Sequence, residues 1–183
     1  MKVIQSLDQK RKKFKIAHFN ESMKIRSVSL SDIPALTGLY LKIWEDEFTD
    51  PRELKKYFLK KVKNKEGFVA VEDNKLVGFI GFSKEYFRIV CSRKRSFKDS
   101  DYLDWVFVHK DYRGNGIAEE LIKKFEKNAK KRRVRRIYST TIPKNKAAIK
   151  MHKKLGFSQA GYVWNLWEEG DKELFFSKKV GGR

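Results

Sequence analysis

The chain is poor in several residue types, and each shortage excludes something. One cysteine, Cys91, occurs among 183 residues. No disulfide framework can form within the chain, and no cysteine-based zinc site can be built. That economy fits a reducing compartment, so a cytoplasmic location is expected. Cys91 ends an apolar run of Phe87, Ile89 and Val90 that reads as a strand, which argues against a catalytic thiol. The three histidines are scattered without ligand spacing, so no metal site is expected. No window approaches the roughly 18 apolar residues of a membrane span, so no membrane partner is expected. The first residues alternate charge and lack the apolar stretch of a secretory signal. Acids are few: 23 Asp and Glu stand against 43 Lys and Arg, a formal net charge of +20. The length is that of one domain, too short for a protein kinase, a two-domain dehydrogenase or an eight-fold βα barrel.

What is present describes a globular protein. Hydrophobic residues make up 40% and aromatics 14%, enough for a core without disulfides. The positive charge draws polyanions, so nucleic acid, ribosomes, acidic proteins and phosphorylated cofactors are all candidate partners. It also fits a heavily charged, heat-adapted surface. Residues 1–22 are basic and weakly patterned around Lys10-Arg11-Lys12-Lys13. They read as an extension, and residues 23–183 as the domain.

Along that domain the patterning predicts β-α-α-β-β-β-α-β-α-β-β. A strand is predicted over 24–29. Ser31 reads as the N-cap of a helix carrying Ile33, Leu36, Leu39, Tyr40 and Ile43. Asp50, Pro51 and Glu53 form a strong helix start, with Glu53 placed for a capping box and Leu54, Phe58 and Val62 as the apolar stripe. Residues 68–71 and 76–82 read as a hairpin around Asp73-Asn74, the second strand extending toward Cys91. A basic loop over 92–100 leads to an aromatic-rich strand, 102–108. An amphipathic helix spans about 116–131, and a strand 135–141. Asn145 caps a second helix, which ends at Gly156. Two closing strands are expected over about 162–167 and 173–178.

The stretch from Val108 to Ala118 carries the most chemistry. A strand runs into a turn with Gly114 and Gly116, then a helix begins. Free N–H groups and the helix dipole at such a start suit an anion, and glycine lets the backbone approach a phosphate. A Walker A loop is excluded because no Lys-Ser/Thr follows the glycines. The dinucleotide fingerprint is excluded by spacing.

Arg113-Gly114-Asn115-Gly116-Ile117-Ala118 resembles motif A of the GNAT superfamily of N-acetyltransferases, Arg/Gln-x-x-Gly-x-Gly/Ala. Phe107-Val108 and Tyr112-Arg113 precede it as they do in that family. Downstream, Asn145, Ala148, His152, Gly156 and Phe157 match the spacing of a second family pattern, with His152 in place of the usual Tyr. The resemblance spans about residues 24–180. It implies a single-domain α/β GNAT fold, a mixed central sheet of about six to seven strands flanked by about four helices.

The resemblance also implies acetyl-CoA as cosubstrate, with no metal. Its pyrophosphate would be held by the backbone of Gly114, Asn115, Gly116, Ile117 and Ala118, with Arg113 at the entry. The pantetheine arm would lie along Phe107 and Val108 and enter where that strand parts from the next, near Tyr138 to Thr140. Asn145 would contact the arm or order its helix. The reaction would be direct attack of a primary amine on the thioester in a ternary complex. His152 would donate to the departing thiolate as an imidazolium.

Asp104 is the candidate base. Strand period two places residues 104, 106 and 108 on one face, toward the acetyl group, among apolar neighbours that raise a carboxylate's pKa. The matching slot is acidic in the family's diamine acetyltransferases. In the family the loop between the first two helices lines the acceptor site. Here it runs from Trp44 to Asp50, and its acids, Glu45 and Glu47 among them, suit a cationic acceptor: a protein lysine or N-terminus, or a polyamine-like small molecule. The alternative is a CoA-binding module of the same fold that serves as a nucleic-acid- or ribosome-associated protein. Its support is the charge, including nine Lys or Arg over residues 119–136. A monomer or homodimer is expected.

Overall fold

Strand β1 (Lys24–Ser27) opens the chain's ordered sheet and leads through a 3-10 turn into α1 (Ile33–Ile43). The computed structural model describes residues 23–44, 50–84, 87–90, 93–96, 99–164 and 172–181. The basic extension over 1–22 lies outside them. After α1 come α2 (Pro51–Asn64), β2 (Gly67–Glu72), β3 (Lys75–Lys84), β4 (Phe87–Val90), β5 (Arg93–Ser96) and β6 (Ser100–Val108). Then follow α3 (Ile117–Lys131), β7 (Arg136–Thr141), α4 (Lys146–Lys154), β8 (Ser158–Trp164) and β9 (Lys172–Lys179).

Seven strands form one sheet in the order β1-β2-β3-β6-β7-β9-β8. Every neighbouring pair is antiparallel except β6 and β7, which run parallel and are joined by the α3 crossover. The sheet separates two cores. On one face α3 buries Leu121, Ile122 and Phe125 against Phe82, Ile137 and Phe176. On the other, α1 and α2 bury Leu36, Leu54 and Phe58 against Phe79 and Phe107. Each such side chain contributes about 1.5–3 kcal/mol relative to exposure. This is the expected single-domain α/β arrangement, with seven strands and four α-helices. No helix among the described residues is long and apolar enough to cross a membrane.

Local chemistry explains most boundaries. Asp50 accepts the Arg52 backbone N–H at 2.8 Å, and Pro51 opens α2 with no N–H to leave unpaired. Asp73 and Asn74 both take positive φ in the two-residue turn between β2 and β3, as a tight hairpin requires. Glu119 and Glu120 sit at the positive end of the α3 dipole, and Lys130 and Lys131 at its negative end.

Several expectations need correction. Ser31 does not cap α1: Asp32 holds that position, and Ser29 caps the 3-10 turn before it, where the Asp32 carboxylate accepts the Ser29 N–H at 2.8 Å. Glu53 leaves the capping box and pairs with Lys56 at 2.7 Å. The second hairpin strand stops at Lys84. Residues 87–90 pair instead with Arg93–Ser96 as a separate two-stranded ribbon, so the basic stretch expected as loop holds a strand. Lys and Arg carry little strand propensity, and the pairing of neighbouring backbones overrides it. Cys91 lies outside the described residues. β8 begins four residues earlier than expected, at Ser158, because pairing with β9 extends back past an irregularity at Gln159 and Gly161.

Candidate functional site

The site begins where two strands part. β6 and β7 pair from Ser100↔Arg136 to Leu103↔Ser139 and no further, although both continue. Beyond that rung the backbone groups of β6 that face β7 have no strand partner. The separation falls inside the expected stretch Tyr138 to Thr140. A cavity of about 600 Å³ lies beside β6 beyond that rung. Phe107, Val108, Arg113, Gly114, Gly116, Ile117, Ala118 and Asn145 line it, together with Trp44 from the end of α1 and Met151 from α4.

The turn before α3 forms one wall. Gly114 and Gly116 adopt φ of +80° and +81°, the left-handed region that strains any side-chain-bearing residue. A β-carbon built on either would meet nothing within 4 Å, so both backbones face open space. The first N–H groups of α3 have no intrahelical acceptor and carry the positive end of its dipole. Two side chains brace this turn from behind. Arg113 Nε donates to the Val108 carbonyl at 3.1 Å, and the Asn115 amide donates to the Tyr112 carbonyl at 3.2 Å. Asn115 is therefore a strut of the turn, its side chain turned from the cavity wall. Open backbone, free donors and a cavity of this size fit a phosphorylated cofactor with a slender arm.

Asn145 both borders the cavity and caps α4, its Oδ1 accepting the Ala148 N–H at 3.0 Å. His152 departs from expectation. It is buried at 2% exposure, its ring stacked on Phe176 at 4.6 Å and edge-on to Phe157 at 5.2 Å. Nδ1 lies 2.7 Å from the Ala148 carbonyl, which only accepts, so Nδ1 carries the proton. Nε2 is buried without a hydrogen-bond partner among the described residues. Burial pushes the imidazole pKa down, against a smaller upward pull from the Ala148 bond. That direction favours the neutral ring over the expected imidazolium. The cavity takes Ala148 and Met151 from α4 rather than His152.

Asp104 departs from the strand alternation. Gly81 faces Trp105 and Phe82 faces Leu103, so Asp104 is an extra residue in a β-bulge. The bulge breaks period two. Val106 and Val108 pack toward the α3 core, whereas Asp104 and Trp105 both meet α2. The expectation that 104, 106 and 108 share a face fails for that reason. Asp104 instead receives the Ser83 hydroxyl at 3.0 Å, a long 3.4 Å bond from Tyr57, and the Lys61 ammonium. Burial raises the Asp104 pKa, as expected, and the Lys61 charge works against that rise.

Lys61 was not legible as a functional residue. Its Nζ, buried with the rest of the side chain, also donates to the Phe82 carbonyl at 2.7 Å and to Ser83 at 3.0 Å, and lies 3.5 Å from Glu66. One sequence signal existed: Lys61 stands three residues after Phe58, on the apolar stripe of α2. Glu45 and Glu47 lie outside the described residues.

Comparison with known proteins agrees with this geometry. A profile of the acetyltransferase (GNAT) family matches residues 33–157. An uncharacterized N-acetyltransferase of Methanocaldococcus jannaschii is 31% identical over 152 residues, 76% of this chain. The chain spans 62% of that relative's length. An aminoglycoside N(6')-acetyltransferase type 1 of Salmonella typhimurium is 24% identical over 159 residues, 86% of this chain and 99% of that one. The yncA structure of Salmonella typhimurium with its cofactor acetyl-CoA superposes with a TM-score of 0.68 at 18% identity, covering 88% of this chain and 96% of that one. With the profile spanning more than half its residues, the chain belongs to the GNAT family of acetyl-CoA-dependent acyltransferases.

Proposed function

We propose that this protein transfers the acetyl group of acetyl-CoA to a primary amine. The observation that carries the reading is the pair of left-handed glycines, Gly114 and Gly116, opening on a cavity beside the stretch of β6 that β7 no longer pairs with. The backbone of residues 114–118 would hold the pyrophosphate at the α3 N-terminus. Phe107 and Val108 would flank the pantetheine arm. When bound, acetyl-CoA supplies a thioester carbonyl open to attack. The amine nitrogen forms the new C–N bond, the C–S bond breaks, and the electron pair leaves on sulfur.

The protein has two tasks in that exchange. An alkylammonium has a pKa of about 10.4, so a proton must be removed before attack. We assign that step to Asp104, directly or through water, because burial raises its pKa toward the range of a base. Backbone N–H groups of β6 facing the gap are the donors available to the developing oxyanion. The relative that acetylates aminoglycosides favours a small-molecule amine over a protein acceptor.

Calorimetry with CoA and thiol release over an amine panel test this reading. Micromolar-range binding with amine-dependent thiol release is expected. Salt-dependent nucleic-acid affinity without turnover would replace it by the binding-module reading.

A further inference from the structure

An aromatic row runs from the cavity to Asp104. Trp44 and Phe107 stand in the cavity wall with ring centroids 5.5 Å apart. Tyr40 bridges Trp44 at 4.4 Å to Trp105 at 5.0 Å. Trp105 meets Tyr57 at 4.3 Å, and the Tyr57 hydroxyl reaches Asp104. Tyr40 and Phe107 are buried members of the row, whereas Trp44, Trp105 and Tyr57 keep part of their surface open. Residues from α1, α2 and the β6 bulge build it together. Partly exposed aromatic surface beside a cavity is a surface that an apolar ligand can cover.

The charge at its end is selective. Asp104 and Glu66 share the single ammonium of Lys61, so two carboxylates face one cation. The Lys61 ammonium lies 5.2 Å from the Tyr57 ring centroid, so this aromatic face already accommodates a cation.

Resting on the acetyl-transfer reading above, we propose that this row is the acceptor subsite and that its occupant is a small monocationic primary amine on a flat, apolar stem. The ammonium lies at Asp104, one residue past the last rung between β6 and β7, and the stem stacks along Trp105 and Tyr57 toward Trp44. Among the described residues, the row offers a polyamine's further ammonium groups no second carboxylate cluster. An aminoglycoside would lay its many hydroxyls against ring faces, with only Tyr hydroxyls and indole N–H groups at the ring edges to pair with.

Two measurements test this separately from the family chemistry. Quenching of tryptophan fluorescence by 2-phenylethylamine, with the protein saturated with CoA, reads the subsite without turnover. Saturable quenching is expected, with affinity falling about tenfold in Trp105→Ala and retained in Trp105→Phe. At saturating acetyl-CoA, kcat/KM for 2-phenylethylamine is expected to exceed that for spermidine, kanamycin and a lysine peptide at least tenfold. Trp105→Ala is expected to raise KM for the arylalkyl amine alone and to leave acetyl-CoA affinity unchanged by calorimetry. No saturable quenching, or a preference for spermidine, kanamycin or the peptide, would overturn the subsite. Absence of transfer to every amine with quenching intact would overturn the acetyl-transfer reading and leave the subsite standing.

Discussion

The Lys61 ammonium closes on the Asp104 carboxylate inside the protein, α2 reaching the bulge of β6. Lys61 comes from the apolar stripe of α2, and Asp104 from an apolar strand. A cation from one face of a helix therefore sets the basicity of a carboxylate on a strand. Burial alone would leave Asp104 a much weaker acid, and Lys61 restrains that shift.

Lys61→Met should expose this coupling. Removing the cation lets burial act unopposed, so the Asp104 pKa rises further. The acid limb of kcat/KM against pH should move to higher pH. Two carboxylates also lose their shared partner, and stability should fall by about 3–5 kcal/mol, the usual cost of breaking a buried pair. A pH–rate profile and urea unfolding check the two effects. An unmoved acid limb in a folded variant would dissociate Lys61 from catalysis.

Asp104→Asn keeps the shape of the side chain and removes the base. At pH 7, kcat/KM should fall by about 10²-fold. The deficit should shrink toward pH 10, where the free amine is abundant without help. A deficit that stays constant over that range would rule out proton acceptance by Asp104.

Gly116→Val should weaken CoA binding at least tenfold by calorimetry. The left-handed backbone costs about 1–2 kcal/mol for a side-chain-bearing residue. The new side chain also projects into the open space before α3, where a phosphate would sit. Unchanged affinity in a folded Gly116→Val protein would move the phosphate site elsewhere.

His152 should be visible in stability rather than in turnover. Its folded-state pKa is lowered by burial, so below about pH 6.5 the unfolded chain binds a proton that the folded one does not. Stability should therefore fall as pH drops through that value, by at most about 1.4 kcal/mol per pH unit, until the folded pKa is passed. His152→Phe should flatten this slope and change kcat less than tenfold. Thermal melts from pH 5 to 8 check the first, and a kcat loss of 10²-fold or more would restore His152 as an acid.

Local chemistry made part of this protein readable from its residues alone. Asp50 with Pro51, Asn145, and Gly114 with Gly116 each act on backbone within a few residues. Their caps and left-handed turns could be placed without knowing the fold. The turn before α3 was legible for that reason, and with it the class of cofactor. The apolar stripe of α3 was legible because helical period three to four needs no partner strand.

Tertiary structure alone decided the acceptor side. The bulge at Asp104 is a property of pairing with β3, and nothing within β6 announces it. It turned Asp104 away from the face that alternation assigned to it and toward a lysine 43 positions earlier, on another element. The aromatic row joins α1, α2 and β6, far apart in the chain. The sequence by itself determined the backbone turn that would receive a phosphate, because that turn is held by φ angles and caps of neighbouring residues. Which charges and rings would meet the amine depended on strand register and helix packing, where long-range contacts outweigh local preference.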